Sequence, residues 1–169
     1  KPNVIYILAD DLGYGDVGYN GQELIETPEL DKLAHNGMRF TNHYCGNAVC
    51  APSRASLLMG QHPGHAYIRS NSPGYPDGQT PIPADSETLG KLMQRAGYNT
   101  ACIGKWGLGG FDDTGNANKQ GCDDFYGYTD QVPAHNYYPK YLWQNGIKQF
   151  LDNGNGKQND YSHDLFTAE

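Results

Sequence analysis

The run Val4-Ile5-Tyr6-Ile7-Leu8-Ala9 is apolar throughout, too short for a helix and without polar alternation. It predicts a strand buried on both faces, as in a parallel sheet, with Asp10 and Asp11 at its carboxyl end. Thr27-Pro28 then reads as the N-cap and first residue of a helix whose Leu30, Leu33 and Ala34 share a face before Gly37. Met38 to Tyr44 reads as extended. Pro52 reads as the first residue of a second helix with Leu57 and Leu58 buried and Gly60 as its stop, which leaves Cys50 just ahead of it. The Gly, Pro, Ser and Asn of residues 62–83 predict a long surface loop of the functional kind. Leu89, Leu92, Met93 and Ala96 fall at i, i+3, i+4 and i+7, with Asp85 or Ser86 as cap and Gly97 as stop. Tyr98 to Ile103 reads as a second strand, with Gly104-Lys105-Trp106-Gly107 at its carboxyl end.

Strand, helices, strand predicts a βαβ-type crossover, and so an α/β fold with a mostly parallel sheet flanked by helices. Residues 107–160 read as loop-rich, with an aromatic knot from His135 to Trp143. Ser162 opens a last capped helix that meets no stop signal before Glu169. The expectation is a chain cut from a longer one, because two core strands are few for an independent open sheet.

Composition narrows the function classes. Twelve Lys and Arg against nineteen Asp and Glu leave a charge of −7 over 169 residues, and no cationic cluster offers a surface to a phosphate backbone. Nucleic acid is therefore an unexpected partner, and no apolar run reaches the roughly 18 residues of a membrane span. Any anionic ligand must be met locally. The cysteines at 45, 50, 102 and 122 show neither a zinc spacing nor a dense disulfide framework, although a disulfide among Cys45, Cys102 and Cys122 is open. No leader pattern precedes Val4, so any signal peptide is expected to have been removed.

Two places carry candidate chemistry. Adjacent carboxylates at a strand end are hard oxygen ligands suited to Ca²⁺ or Mg²⁺, and Asp10 and Asp11 stand there; an Asp-Asp pair before Gly is equally a plain strand-ending turn. In Cys50-Ala51-Pro52-Ser53-Arg54 a thiol precedes a helix start, where backbone N–H groups and the Arg54 fork favour a tetrahedral anion. From the residues alone Cys50 is either a reactive thiol or a buried structural one.

Cys50-x-Pro52-Ser53-Arg54, followed by Ala55-Ser56-Leu57-Leu58-Met59-Gly60, resembles the signature of the type I sulfatases. Its companions stand in the right order: Pro2-Asn3-Val4-Ile5 through Asp10-Asp11-Leu12-Gly13 resembles the family's opening strand, and Gly104-Lys105-Trp106 its lysine segment. The resemblance implies an alkaline-phosphatase-like α/β fold, with residues 1–169 the N-terminal part of the catalytic domain and the remaining strands and metal ligands lying beyond. Ala134-His135-Asn136-Tyr137-Tyr138-Pro139 also resembles a subset of bacterial sulfatases acting on sulfated carbohydrates.

By this resemblance Cys50 is oxidised to formylglycine by a maturation enzyme. One hydroxyl of the hydrated aldehyde attacks sulfur and expels the alcohol, and the other drives release of sulfate. Asp10, Asp11 and the modified Cys50 would hold Ca²⁺, while Arg54 and Lys105 steady the hydrate and the sulfate. One departure stands out: where the family often has His two residues after the lysine, this chain has Gly107, and His65 or His135 is the expected substitute. Arg69 and Asn71 are candidate contacts for sulfate or sugar hydroxyls, and Tyr137, Tyr138 and Trp143 for a sugar ring. Asp112-Asp113 and Asp123-Asp124 are expected to be turns.

The expected function is hydrolysis of a sulfate monoester on a sulfated carbohydrate, in a bacterial periplasmic or secreted protein. Two rivals share the scaffold, a phosphomonoester or phosphonate hydrolase and a non-catalytic carbohydrate-binding relative.

Overall fold

A computed structural model describes residues 1–72 and 78–169 of the chain. It divides into two compact units, Lys1–Tyr44 and Cys45–Glu169.

In the first unit, α1 spans Pro28–Asn36 as its Pro and Gly signals predict. Thr27 takes the N-cap position without capping; its hydroxyl instead donates to Asp31 Oδ1 (3.0 Å) and accepts from Gly18 N (2.8 Å), tying the helix to the preceding turns. The expected strand at 4–9 is a correction. Among the described residues this segment has no strand partner, and Ile5 and Ile7 are more than 80 % exposed. Apolar pattern alone does not make a strand; burial requires neighbours on both edges and both faces. The crossover inferred from it is accordingly not formed within the described residues, and Asp10 and Asp11 lie in an exposed bend, Asp11 at φ +60.

The second unit is built on one sheet. Its strands β1 (Ala101–Lys105), β2 (Asp124–Tyr128), β3 (Tyr141–Gln144) and β4 (Ile147–Phe150) lie in sequence order. The expected parallel pairing is present once, between β1 and β2; the pairings of β2 with β3 and of β3 with β4 are antiparallel, so within the chain the sheet is mixed. Residues 107–160 are thus less loop-rich than expected. The β3–β4 connection is the two-residue turn Asn145-Gly146, both at positive φ (47° and 89°), the geometry that matches strand twist in a hairpin.

Helices α2 (Cys50–Met59) and α3 (Leu89–Arg95) precede the sheet in sequence, and α4 (Ser162–Ala168) follows it. Three expected boundaries shift. α2 starts at Cys50 rather than Pro52, because a residue lacking an N–H is tolerated anywhere in a first turn whose donors have no intrahelical acceptor. Its buried face is Ala51, Pro52, Ala55 and Ser56, leaving Leu57 and Leu58 only half-buried. α3 is capped by Thr88, whose hydroxyl accepts from Lys91 N, in place of Asp85 or Ser86. Strand β1 begins three residues later than the expected Tyr98.

Side-chain alternation along β2 divides the core. Phe125 joins Ala51, Ala55, Ile68, Ile82, Trp106 and Leu108 on the α2 side, while Tyr126 and Tyr128 pack with Leu142, Leu165 and Phe166 on the α4 side. A disulfide joins Cys102 in β1 to Cys122, just before β2.

Asp123 ties the approach to β1. Its carboxylate accepts from Thr100 N (2.8 Å) and Gln94 Nε2 (2.7 Å), and the Thr100 backbone bond is the main cause holding its pKa below the ordinary 3.8. A depressed carboxylate stabilises the fold above its unfolded pKa and loses that contribution as pH falls through the folded value. Asp123→Asn is therefore expected to melt below the parent near neutrality, with the gap narrowing as the solution is acidified below the ordinary carboxylate range. Thermal melts of both proteins across that range check this.

Candidate active site

Cys50 is the first residue of α2 and is partly exposed. The extended Val49 ahead of it provides no side-chain cap. Instead Asn71 reaches back from the loop beyond the helix and accepts from Ala51 N (2.9 Å), while Pro52 has no N–H to satisfy. Four small or compact residues, Ala51, Pro52, Ala55 and Ser56, press the helix into the core and so fix where the thiol emerges. The chain entering the helix passes close over Ser56, and Gly46 must lack a side chain there, because a Cβ on it would fall 2.5 Å from Ser56 Cβ.

Lys105 at the end of β1 brings its ammonium 3.3 Å from Cys50 Sγ. Arg54, one turn into α2, donates from Nη1 to the Lys105 carbonyl oxygen. A helix start and an ammonium thus meet at one half-exposed thiol in a chain of net charge −7, and a guanidinium holds the backbone of the residue that carries the ammonium. This is the local cationic setting that an anionic ligand requires. The structure brings together Cys50, Arg54 and Lys105, three of the residues singled out from the sequence.

The others lie as follows. Arg69 closes its own loop, donating to Gly64 O (2.8 Å) and to Ala66 O (3.3 Å). Asn71 holds the start of α2, a role its sequence context did not reveal. His65 is exposed beside His62, ring centres 6.3 Å apart. His135 is exposed at the end of the single 3-10 turn Pro133–His135 between β2 and β3. That turn is held from both sides: Asp130 Oδ1 accepts from Val132 N (3.3 Å), and the Tyr128 hydroxyl donates to Asn136 O (3.2 Å). Burial pushes the Tyr128 phenol above its ordinary range, which keeps that donor protonated.

Of the aromatic residues, Trp143 is packed against Phe111 at 4.5 Å with the Lys148 ammonium over its ring, whereas Tyr137 is half exposed beside Tyr161 and His163. Of the other acidic pairs, Asp112-Asp113 is a bend as expected, whereas Asp123-Asp124 is not a turn: Asp124 opens β2, because its backbone pairs in register with Ala101 of β1. Asp113 accepts from Gly110 N and Gly115 N, and Asp124 from Asn145 Nδ2.

Sequence reasoning missed a buried polar chain. Gln79 donates from Nε2 to Asp130 Oδ1 (2.7 Å), Asp130 also accepts from Gln131 N, and Gln131 donates from Nε2 to Gly107 O (3.3 Å). Only Asp130-x-Val132-Pro133, an Asx-turn pattern, offered a signal for it.

For a divalent cation the fit is partial. Asp10 and Asp11 offer the hard oxygens Ca²⁺ prefers, but as two residues they fall short of a shell of about six to eight oxygens. Among the described residues no group of three or more His, Cys, Asp or Glu is arranged to hold a metal ion. No described helix is long and apolar enough to cross a membrane.

The family profile described as Sulfatase matches residues 2–168. Arylsulfatase J of Mus musculus is 38 % identical over 83 % of this chain and 23 % of its own length. N-acetylglucosamine-6-O-sulfatase of Bacteroides thetaiotaomicron is 34 % identical over 99 % of this chain and 26 % of its own. A structure solved in complex with its substrate D-glucosamine-2-N,6-O-disulfate superposes with a TM-score of 0.74 at 30 % identity, covering 99 % of this chain and 30 % of that one. The chain therefore spans about a quarter of the length of these curated relatives.

Proposed function

The chain belongs to the sulfatase family, and from that premise we propose that it supplies the nucleophile end of a sulfuric ester hydrolase acting on a sulfated carbohydrate. The observation that carries this reading is the Lys105 ammonium 3.3 Å from Cys50 Sγ at the start of α2. The substrate class is supported by two similar proteins, one named an N-acetylglucosamine-6-O-sulfatase and one bound to a glucosamine disulfate.

In this reading a maturation enzyme oxidises Cys50 to formylglycine, whose hydrate supplies one oxygen to attack sulfur and a second to release the product. The chain's own residues do the positioning. Asn71 and the buried face of α2 fix the reacting side chain, Lys105 neutralises sulfate oxygens, and Arg54 locks the strand end that carries Lys105. Asp10 and Asp11 would contribute two carboxylates to a Ca²⁺ shell, a cation that polarises sulfate oxygens. His135 and His65 remain the candidates for moving a proton to the leaving alcohol, His135 on the better anchored turn. The Cys102–Cys122 disulfide supports an oxidising address, and we read the protein as periplasmic or secreted.

Paired nitrophenyl sulfate and nitrophenyl phosphate assays on the native-length protein test the reading; faster turnover of the phosphate would replace it with a phosphohydrolase. Lys105→Met is expected to lower kcat/KM for the sulfate about 10- to 100-fold, the loss of one charge-assisted contact of about 1.5 to 3 kcal/mol. Its melting temperature should stay near the parent's, because the ammonium sits at a half-exposed site. A kcat/KM within twofold of the parent would remove Lys105 from the site.

A further inference from the structure

Two carbonyls at the end of β1 are gripped by long side chains from elsewhere in the chain. Arg54 takes that of Lys105, and Gln131 takes that of Gly107. Between them the backbone continues the parallel ladder, Trp106 N donating to Tyr128 O (2.9 Å) and Gly107 N to Thr129 O (3.1 Å). At Gly107 it turns into the left-handed region, φ +75. A Cβ at residue 107 would fall 1.7 Å from Gln131 Nε2, so a side chain there would have to displace the Gln131 carboxamide from the space it fills.

The Gln131 carboxamide fills that volume at a cost. Gln131 is 3 % exposed, and its Oε1 is buried without a hydrogen-bond partner among the described residues. The amide cannot turn over to relieve this, because a carbonyl only accepts and Gly107 O therefore requires the Nε2 side. An apolar side chain of similar length would occupy the same space and bring no acceptor of its own. What it would not do is grip the Gly107 carbonyl. The main chain of Gln131 is itself pinned, its N–H donating to Asp130 Oδ1, which also takes the Gln79 amide.

We propose that Gln131 is a positioning residue: by clamping the Gly107 carbonyl in the volume that a residue-107 side chain would need, it sets the exit of β1 and with it the placement of the Lys105 ammonium against residue 50. The clamp acts through Lys105 and makes no contact with substrate. This rests on reading the Cys50–Lys105 pair as the anion site, and it deepens that reading by assigning the control of its geometry to the turn after β2.

The experiment uses native-length protein carrying Gln131→Ala or Gln131→Met, with Lys105→Met as reference. In protein made without the maturation enzyme, which keeps the thiol, alkylation of Cys50 by iodoacetate and by iodoacetamide is followed at a single pH by peptide mass spectrometry, which separates Cys50 from the exposed Cys45. The ratio of anionic to neutral reagent reports the cation at Sγ and requires no sulfatase activity. Both Gln131 variants are expected to lower this ratio at least threefold, toward that of Lys105→Met, and in matured protein to lower kcat/KM for nitrophenyl sulfate about tenfold. Gln131→Met fills the volume, so its melting temperature should stay near the parent's even where Gln131→Ala folds poorly. A Met variant whose ratio and kcat/KM both remain within twofold of the parent would overturn the proposal. A ratio lowered in both Gln131 variants, together with a matured parent that shows no sulfatase activity, would uphold the clamp and remove the functional reading instead.

Discussion

Cys50→Ala in the native-length protein is expected to lower sulfate-ester hydrolysis by roughly a thousandfold or more, the usual consequence of removing a covalent nucleophile. The fold should not notice. The buried face of α2 is made by Ala51, Pro52, Ala55 and Ser56, and the thiol projects from the half-exposed end of the helix toward Lys105. A melting temperature near the parent's would therefore accompany the lost activity. Cys50→Ser is the sharper variant. Serine keeps an oxygen nucleophile in the same place, beside the same ammonium, and differs from the hydrated aldehyde only in lacking the second hydroxyl. A serine sulfate ester has no internal route for expelling sulfate, so the Ser protein, confirmed unmodified by peptide mass, should fail in turnover even if it reacts once. The mature parent should show a loss of about 18 Da at the Cys50 peptide. An Ala variant turning over at the parent's kcat would mean that residue 50 is not the nucleophile, and an unmodified Ser variant doing so would mean that a second hydroxyl is not what releases sulfate.

Part of the candidate site was legible one residue at a time. Cys50, Arg54 and Lys105 are separated by up to 55 residues, yet each sits in a motif whose chemistry is readable one residue at a time, and the structure brings them together. The long-range clamps were invisible for the opposite reason. Asn71 and Gln131 are uncharged polar residues in loops, with no period and no charge, and only their contacts with Ala51 N and Gly107 O give them meaning. Among the elements, α1 was read from its Pro and Gly punctuation, whereas α2 began early because Pro marks a first turn and not a first residue. The hairpin of β3 and β4 carries a readable signal. Asn145-Gly146 between Tyr141-Leu142-Trp143-Gln144 and Ile147-Lys148-Gln149-Phe150 is a strong turn signal, which the aromatic residues around it obscured. The segment 4–9 misled in the other direction, since a buried-strand pattern states a preference that only surrounding strands can satisfy.

The strand that presents Lys105 also depends on a contact between two glycines, and this gives the largest expected loss of stability. Gly104 and Gly127 face each other in the parallel register of β1 and β2. A Cβ on Gly127 would lie 1.8 Å from the Gly104 carbonyl oxygen and 2.7 Å from its carbon, at a φ of +156 that L side chains rarely adopt. The obstruction is backbone, so it cannot rotate away as a side chain would. Relief requires β1 and β2 to part, and β2 cannot recoil, because Phe125 is buried on one of its faces and Tyr126 and Tyr128 on the other. Gly127→Ala is therefore expected to cost roughly 3 to 5 kcal/mol, at the upper end of what overpacking does. That is a large share of the 5 to 15 kcal/mol that typically holds a domain together, and it should lower the melting temperature by about 10 °C or more. Gly154→Ala provides the control: a Cβ there meets nothing within 4 Å, and its melt should match the parent's to within about 2 °C. Activity in the Gly127 variant should fall with the folded fraction, and what does fold should also turn over more slowly, because parting the strands at residue 104 moves its neighbour Lys105. A Gly127→Ala protein that melts with the parent would show that the two strands do not approach so closely, and the placement of Lys105 would then need another anchor.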